Sequence, residues 1–195
     1  MTAQTEIKQP STLADACNSA GLSLQCSPPR GGVDGEDKEA WPHIAYTVTL
    51  LRNGREVWSG PYKLGVGHVQ PRKARVSIYT GVRFTADEES LLATWQHKPH
   101  AQFLNKARWS DVAAKVALQQ KVTPKLADVV SSLLSDGSAY FNGLTFEDWC
   151  GEFGYDTDSR KAEETYRTCD AIGRKLQSAL GRELVAQLRE AAQDY

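Results

Sequence analysis

His43-Ile44-Ala45-Tyr46-Thr47-Val48-Thr49-Leu50 and Glu56-Val57-Trp58-Ser59-Gly60-Pro61-Tyr62 stand on either side of Asn53-Gly54. Both flanking runs are rich in β-branched and aromatic residues, which suit a pleated, half-buried surface. Asn-Gly tolerates the positive φ angles of a tight turn whose twist matches that of the strands it joins. The stretch predicts an antiparallel hairpin. Working outward toward the N-terminus, Leu22-Ser23-Leu24-Gln25-Cys26 alternates apolar and polar residues and predicts another half-buried strand. A hydroxyl cap at Ser11-Thr12 predicts a short helix over the following residues, ended by Gly21. Between strand and hairpin, residues 27–37 are rich in Pro, Gly and charge and predict an exposed loop.

On the other side of the hairpin, Leu64-Gly65-Val66-Gly67-His68 contains a G-x-G. No third glycine and no phosphate-loop lysine follow, so it reads as a bend or close backbone approach at a strand end rather than a nucleotide loop. Val76-Ser77-Ile78-Tyr79-Thr80 predicts a further extended segment. After Phe84 the period becomes helical. Thr85-Ala86-Asp87-Glu88 is a capping box for a helix to about Trp95, and residues 103–119 predict a second helix with Trp109, Val112 and Val116 on one face. Thr123-Pro124 reads as a cap followed by proline in the first turn, opening a helix with Leu126, Val129, Val130, Leu133 and Leu134 inward and an end near Gly137. Thr145 caps a short helix that Gly154 breaks. Asp156-Thr157-Asp158 caps a long one from Ser159 to Leu180, with Tyr166, Cys169, Ile172, Leu176 and Leu180 as its stripe. Beyond Gly181, residues Leu184, Val185 and Leu188 mark a last helix. Strands first and helices afterwards predict an α+β fold, a small antiparallel sheet in the N-terminal half packed with a mainly helical C-terminal half. The division is 1–84 and 85–195, either as two regions or as one compact domain.

Composition narrows the function. The chain has 195 residues, 23 Lys+Arg and 24 Asp+Glu, a formal net charge of -1. Such a balance argues against a strongly basic nucleic-acid binder and against a uniformly acidic DNA mimic, although basic charge can still cluster on one face. No apolar run approaches the roughly 18 residues of a membrane span, and the first residues lack a charged segment followed by an apolar one, which predicts a cytoplasmic protein. Cys17, Cys26, Cys150 and Cys169 form no C-x-x-C pair and read as free, partly buried thiols, with Cys17–Cys26 and Cys150–Cys169 disulfides left open as alternatives. His97-x-x-His100 encloses Pro99, which argues against a regular helix and so against a helical metal pair there. No nucleophile elbow, H-E-x-x-H, Walker loop or deaminase signature occurs. The reading is of a protein without catalytic residues, metal or cofactor.

Thr145-Phe146-Glu147-Asp148-Trp149-Cys150-Gly151-Glu152-Phe153-Gly154-Tyr155-Asp156-Thr157-Asp158-Ser159-Arg160-Lys161-Ala162, with Tyr166 and Cys169 beyond, resembles a segment of a widespread group of proteins encoded by bacteriophages, prophages and other mobile elements. In that group a hairpin ending in a G-x-G-H-like turn comes first, then a Thr-Pro helix, then this acidic-aromatic segment leading into a long helix. The resemblance is best over 123–180 and looser over 43–68. Residues 72–120 are longer than in typical members, so nothing is carried over there. It implies a genomic context rather than a reaction: small mobile-element proteins of this kind are often accessory factors, including anti-CRISPR inhibitors of host defence.

Two surfaces are candidates for contact. Residues 145–158 hold five carboxylates (Glu147, Asp148, Glu152, Asp156 and Asp158) and no Lys or Arg, interleaved with Phe146, Trp149, Phe153 and Tyr155. One reading is local: acids favour helix N-termini, and 146, 149 and 153 are spaced as a core-facing stripe. The other is a docking patch made by Glu147, Asp148, Trp149, Glu152, Tyr155, Asp156 and Asp158, which steers encounter with a basic channel and anchors on a few desolvated rings. Asp156-x-Asp158 is too short for a calcium loop. The second surface is basic: Arg72, Lys73 and Arg75, extended by Arg52 and Arg55 around the hairpin turn, either solvated or set against phosphate or a carboxylate-rich surface. The expectation is a non-enzymatic accessory protein that binds a host protein complex, a CRISPR effector first among them, and occludes a nucleic-acid or nuclease-docking surface. The alternatives are a nucleic-acid-binding accessory factor working through the basic residues, and a structural or regulatory phage protein whose partner is another phage product.

Overall fold

A computed structural model describes residues 12–34, 41–65, 67–70, 75–78, 123–193 and 195. Their order is α1 (Leu13–Ser19), β1 (Leu22–Cys26), β2 (Arg30–Asp34), β3 (Trp41–Arg52), β4 (Arg55–Gly65), β5 (Gly67–Gln70), β6 (Arg75–Ile78), α2 (Leu126–Asp136), α3 (Ser138–Phe141), α4 (Phe146–Phe153), α5 (Arg160–Leu180) and α6 (Arg182–Gln193). The fold is α+β: an antiparallel four-stranded sheet near the N-terminus and a mainly helical C-terminal half. The helices expected over 86–95 and 103–119 lie outside the described residues.

The hairpin is the predicted one. Asn53 (φ 50) and Gly54 (φ 78) both adopt positive φ, the signature of the two-residue turn that keeps the twist of the flanking strands continuous. Along β3, Ile44, Tyr46, Val48 and Leu50 are buried while Thr47 between them is exposed, the period of two that gives a sheet one inward face. The Thr49 and Ser59 hydroxyls bond across the hairpin at 3.0 Å. The sheet runs β1-β3-β2, with β4 also paired to β3. Just past β1, the Ser27 N–H donates to the Thr47 carbonyl at 2.8 Å, and the Ser27 hydroxyl oxygen accepts from the Thr47 N–H at 2.9 Å.

Residues 27–37 are not wholly a loop. Arg30–Asp34 is strand β2, antiparallel to β3 with Arg30 opposite Ala45 and Gly32 opposite His43. Glycine, which suggested a loop, is here a packing residue: a Cβ on Gly32 would collide with the His43 imidazole, which is buried. Removing the side chain lets the ring lie against the neighbouring strand. The strand after the G-x-G is also formed: β5 and β6 pair antiparallel, Gly67 opposite Ile78 and Gln70 opposite Arg75.

The described residues divide into two compact units. Those within 12–25, 49–59 and 125–195 make one; those within 26–48 and 60–124 make the other. In the first unit, α1 packs on α2 and α6, burying Leu13, Ala16 and Cys17. Thr12 caps α1 by accepting the Asp15 N–H. The hairpin tip joins this unit through the Asn53 N–H, which donates to the Gly21 carbonyl at 2.9 Å, and through Arg52 Nη1, which donates to the Leu180 carbonyl at 3.0 Å.

Helix α2 begins later than Thr123-Pro124 suggested. Lys125 is extended (ψ 144) and offers no side-chain cap, and the Val129 N–H donates to the Lys125 carbonyl at 3.1 Å. Pro124 is buried ahead of this extended residue, so the first turn forms where the apolar face of Ala127, Val130 and Leu134 begins. The four-residue helix α3 has no side-chain cap and no periodic stripe to announce it. It crosses α5 at glycines: a Cβ on Gly173 would lie 2.6 Å from Tyr140 Cβ and 2.8 Å from the Gly137 carbonyl oxygen. Helix α5 starts one residue after Ser159, whose hydroxyl accepts the Ala162 N–H, and it ends at Gly181 (φ 85). Asp156 and Asp158 therefore belong to the turn before the cap rather than to the cap itself.

Candidate partner-binding surface

The acidic-aromatic segment is helix α4 and the turn after it. Thr145 opens α4: its hydroxyl oxygen accepts the Asp148 N–H at 3.2 Å and its hydroxyl donates to Asp148 Oδ2 at 2.9 Å. Gly154 closes the helix in the left-handed region (φ 71, ψ 30), where a side chain would be strained. The Tyr155 N–H then turns back to the Cys150 carbonyl at 2.9 Å, a reversal characteristic of glycine-terminated helices. That reversal lays the Tyr155 ring on Trp149, 4.6 Å between centroids and 13° from parallel.

Trp149 is the hub. It is 4% exposed and clusters with Ala139, Cys150 and Ala162, with Leu144, Phe146, Tyr166 and Cys169 packed around them. Tyr166 meets both Phe146 (5.5 Å) and Trp149 (5.7 Å), and its hydroxyl donates to the Leu144 carbonyl at 2.8 Å. Phe153 lies 5.5 Å from Trp149 on a tilted plane. The stripe expected at 146, 149 and 153 is thus only partly inward: Phe146 is half-buried, Trp149 buried, and Phe153 is 48% exposed. The reason is position, since Phe153 is the last helical residue before Gly154 and no element covers that turn among the described residues. Trp149, one of the residues assigned to the docking patch, is a core residue that supports the patch. Of the two rings left out of that patch, Phe146 is half-buried and Phe153 exposed, and the place of Phe153 beside the helix-ending glycine is the signal for its exposure. Tyr155, at 44% exposure, does reach solvent.

The carboxylates separate by role. Asp148 is engaged at the helix start, and Asp156 Oδ1 accepts the Asp158 N–H at 3.0 Å within the turn. Glu147, Glu152 and Asp158 are exposed, and among the described residues none of the three is in an ion pair. Burial pushes the Cys150 thiol above its ordinary pKa, with the Glu147 and Asp156 carboxylates adding to the shift. Downstream, Arg160 pairs with Glu164 at 3.0 Å on α5.

The basic residues are less gathered. Arg52 is part-buried on the Leu180 carbonyl, and Arg55 is exposed. Arg75 is the first residue of β6, and Arg72 and Lys73 lie outside the described residues. A groove of about 490 Å³ between α2 and α6 is lined by Ser131, Ser135, Ser138, Arg189 and Glu190 among others. Its cation is already engaged, with Arg189 donating to Asn142 Oδ1 at 2.6 Å and lying over the Phe141 ring.

All four cysteines are free thiols, Cys17 and Cys150 buried and Cys26 exposed. Among the described residues no group of three or more His, Cys, Asp or Glu is arranged to hold a metal ion, and no helix is long and apolar enough to cross a membrane. Comparisons with known proteins find no matching family model, no similar curated protein and no similar solved structure.

Proposed function

We propose that this chain is a non-enzymatic accessory protein of a phage or related mobile element, and that it binds a host defence complex, a CRISPR effector first among them, by covering a nucleic-acid or nuclease-docking surface. The observation that carries this reading is the outward edge of α4. Phe153 and Tyr155 are exposed on a buried tryptophan, in a segment where Glu147, Glu152 and Asp158 are exposed and, among the described residues, in no ion pair. Exposed aromatic rings supply desolvation energy at an interface, and the surrounding carboxylates steer a basic partner. The segment also carries the sequence resemblance to mobile-element proteins. The competing reading, direct nucleic-acid binding through Arg52, Arg55, Arg72, Lys73 and Arg75, is weakened at Arg52, whose guanidinium is engaged with the end of α5.

The test is phage infection of a CRISPR-competent host expressing the parent or E147K/E152K/D158K. Asp148 is left intact because its carboxylate serves the start of α4. The parent is expected to restore infection, and the reversed variant, folded by circular dichroism, to lose the effect. Equal protection by both proteins removes this surface. A gel shift across a salt series addresses the competing reading, since phosphate contacts weaken steeply with salt.

A further inference from the structure

We propose that Phe153 and Tyr155 form a seat for an arginine side chain of the partner protein, its guanidinium lying on their exposed faces and pairing with the neighbouring Glu152 or Asp156. The proposal rests on the partner-binding reading above and names the chemistry that the surface recognises. One face of Tyr155 is covered by the near-parallel Trp149 ring, and the residue is still 44% exposed. Phe153 leans on the same tryptophan and is 48% exposed. Two of the large exposed hydrophobic side chains among the described residues thus share one buried support. An aromatic face carries negative charge density that attracts cations. Residues 145–158 add five carboxylates and no cation, so the surface repels phosphate and favours a basic protein over a nucleic acid.

The choice of arginine over lysine follows from geometry that the chain itself uses. Arg174 lies 5.1 Å over the Tyr140 ring while its Nε pairs with Asp170 at 2.6 Å. Arg189 lies 5.3 Å over Phe141 while donating to Asn142. In both places a guanidinium lies over a ring and satisfies an oxygen beside it, which a strongly hydrated ammonium does less well. Phe153 and Tyr155 are exposed and are flanked in the chain by the exposed Glu152 and Asp156, yet among the described residues no cation lies over either ring.

The experiment is titration of the parent, E152Q/D156N and F153L/Y155L with two blocked peptides of equal length and charge, a Gly-Arg repeat and a Gly-Lys repeat. Leucine keeps apolar bulk beside Trp149 and removes the ring faces. The parent is expected to prefer the Gly-Arg peptide by roughly threefold to tenfold. F153L/Y155L should lose that preference and keep a salt-sensitive residue of affinity, and E152Q/D156N should bind both peptides more weakly. Equal affinity of the parent for the two peptides, binding of neither, or a preference that survives in F153L/Y155L overturns the seat. Infection separates the two claims. If E147K/E152K/D158K loses protection while F153L/Y155L keeps it, the surface stands without the seat; if neither loses it, the surface falls as well.

Discussion

Gly173 of α5 passes so close to Gly137 that a Cβ on Gly173 would stand 2.8 Å from the Gly137 carbonyl oxygen, and 2.6 Å from Tyr140 Cβ. Two helices approach this closely only where side chains are missing. Around the crossing, Gln177 Nε2 donates to the Tyr140 hydroxyl at 3.2 Å and Arg174 covers the Tyr140 ring, so the contact fixes how α3 meets the long helix.

Gly173→Ala should therefore destabilise the protein by about 1–3 kcal/mol, the range for overpacking a tight contact. Gly151→Ala is the internal control. Gly151 is an exposed residue of α4 with nothing near the added methyl, and alanine there should stabilise by about 0.5–1 kcal/mol. Urea unfolding of the two variants against the parent checks both signs.

Removing the Tyr166 hydroxyl leaves the Leu144 carbonyl without the donor it has at 2.8 Å. Tyr166→Phe should cost about 1 kcal/mol while the ring contacts to Phe146 and Trp149 remain. Thermal unfolding measures the loss, and near-ultraviolet circular dichroism should be unchanged if the aromatic cluster is intact.

The hairpin turn predicts a backbone effect with no packing component. Gly54 has φ 78 and open space around it, so Gly54→Ala should cost about 1 kcal/mol through conformation alone. Gly54→Asn, a residue that tolerates the left-handed region, should cost less. Denaturant midpoints that rank alanine above asparagine would contradict the turn assignment.

Cys17 is fully buried, and burial raises its thiol from 9.0 to about 11. The folded state then holds its proton to higher pH than the unfolded state does. The associated stability is fully present below pH 9 and is lost as the pH rises through the folded value, because the unfolded chain releases the proton first. The loss between pH 9 and 11 should not exceed about 2–3 kcal/mol, and Cys17→Ala should flatten that part of the stability curve. In the native protein an alkylating reagent should modify exposed Cys26 well before Cys17 or Cys150.

The legible parts of this fold are those with local signals. Asn53-Gly54 and its flanking runs announced the hairpin, Thr145 and Gly154 bounded α4, and α5 falls within a residue of its expected bounds although its cap is Ser159 and not 156–158. The misread parts depend on partners distant in sequence. Gly31 and Gly32 carry loop composition, and only pairing with β3, with the His43 ring against Gly32, makes them a strand. Helix α3 lacks a side-chain cap and is placed by its packing on α5. At the candidate surface, the carboxylates were visible in sequence, but their separation was not. Which acid serves a backbone N–H and which faces solvent depends on Thr145 and on the turn at 156–158. The inward and outward aromatics were likewise inseparable by spacing, since Phe153 fits the stripe of Trp149 and escapes it only because the helix stops.

Arg52 and the Leu180 carbonyl are 128 residues apart along the chain. At a synthesis rate of about 5–20 residues per second, the guanidinium waits roughly 6–25 s for its acceptor to be made. During that interval the hairpin can close by itself, but the unit that holds its tip cannot. A nascent chain leaving the ribosome thus carries a finished turn with an unfinished berth, a window in which chaperones, proteases or a second nascent copy compete for the same strands.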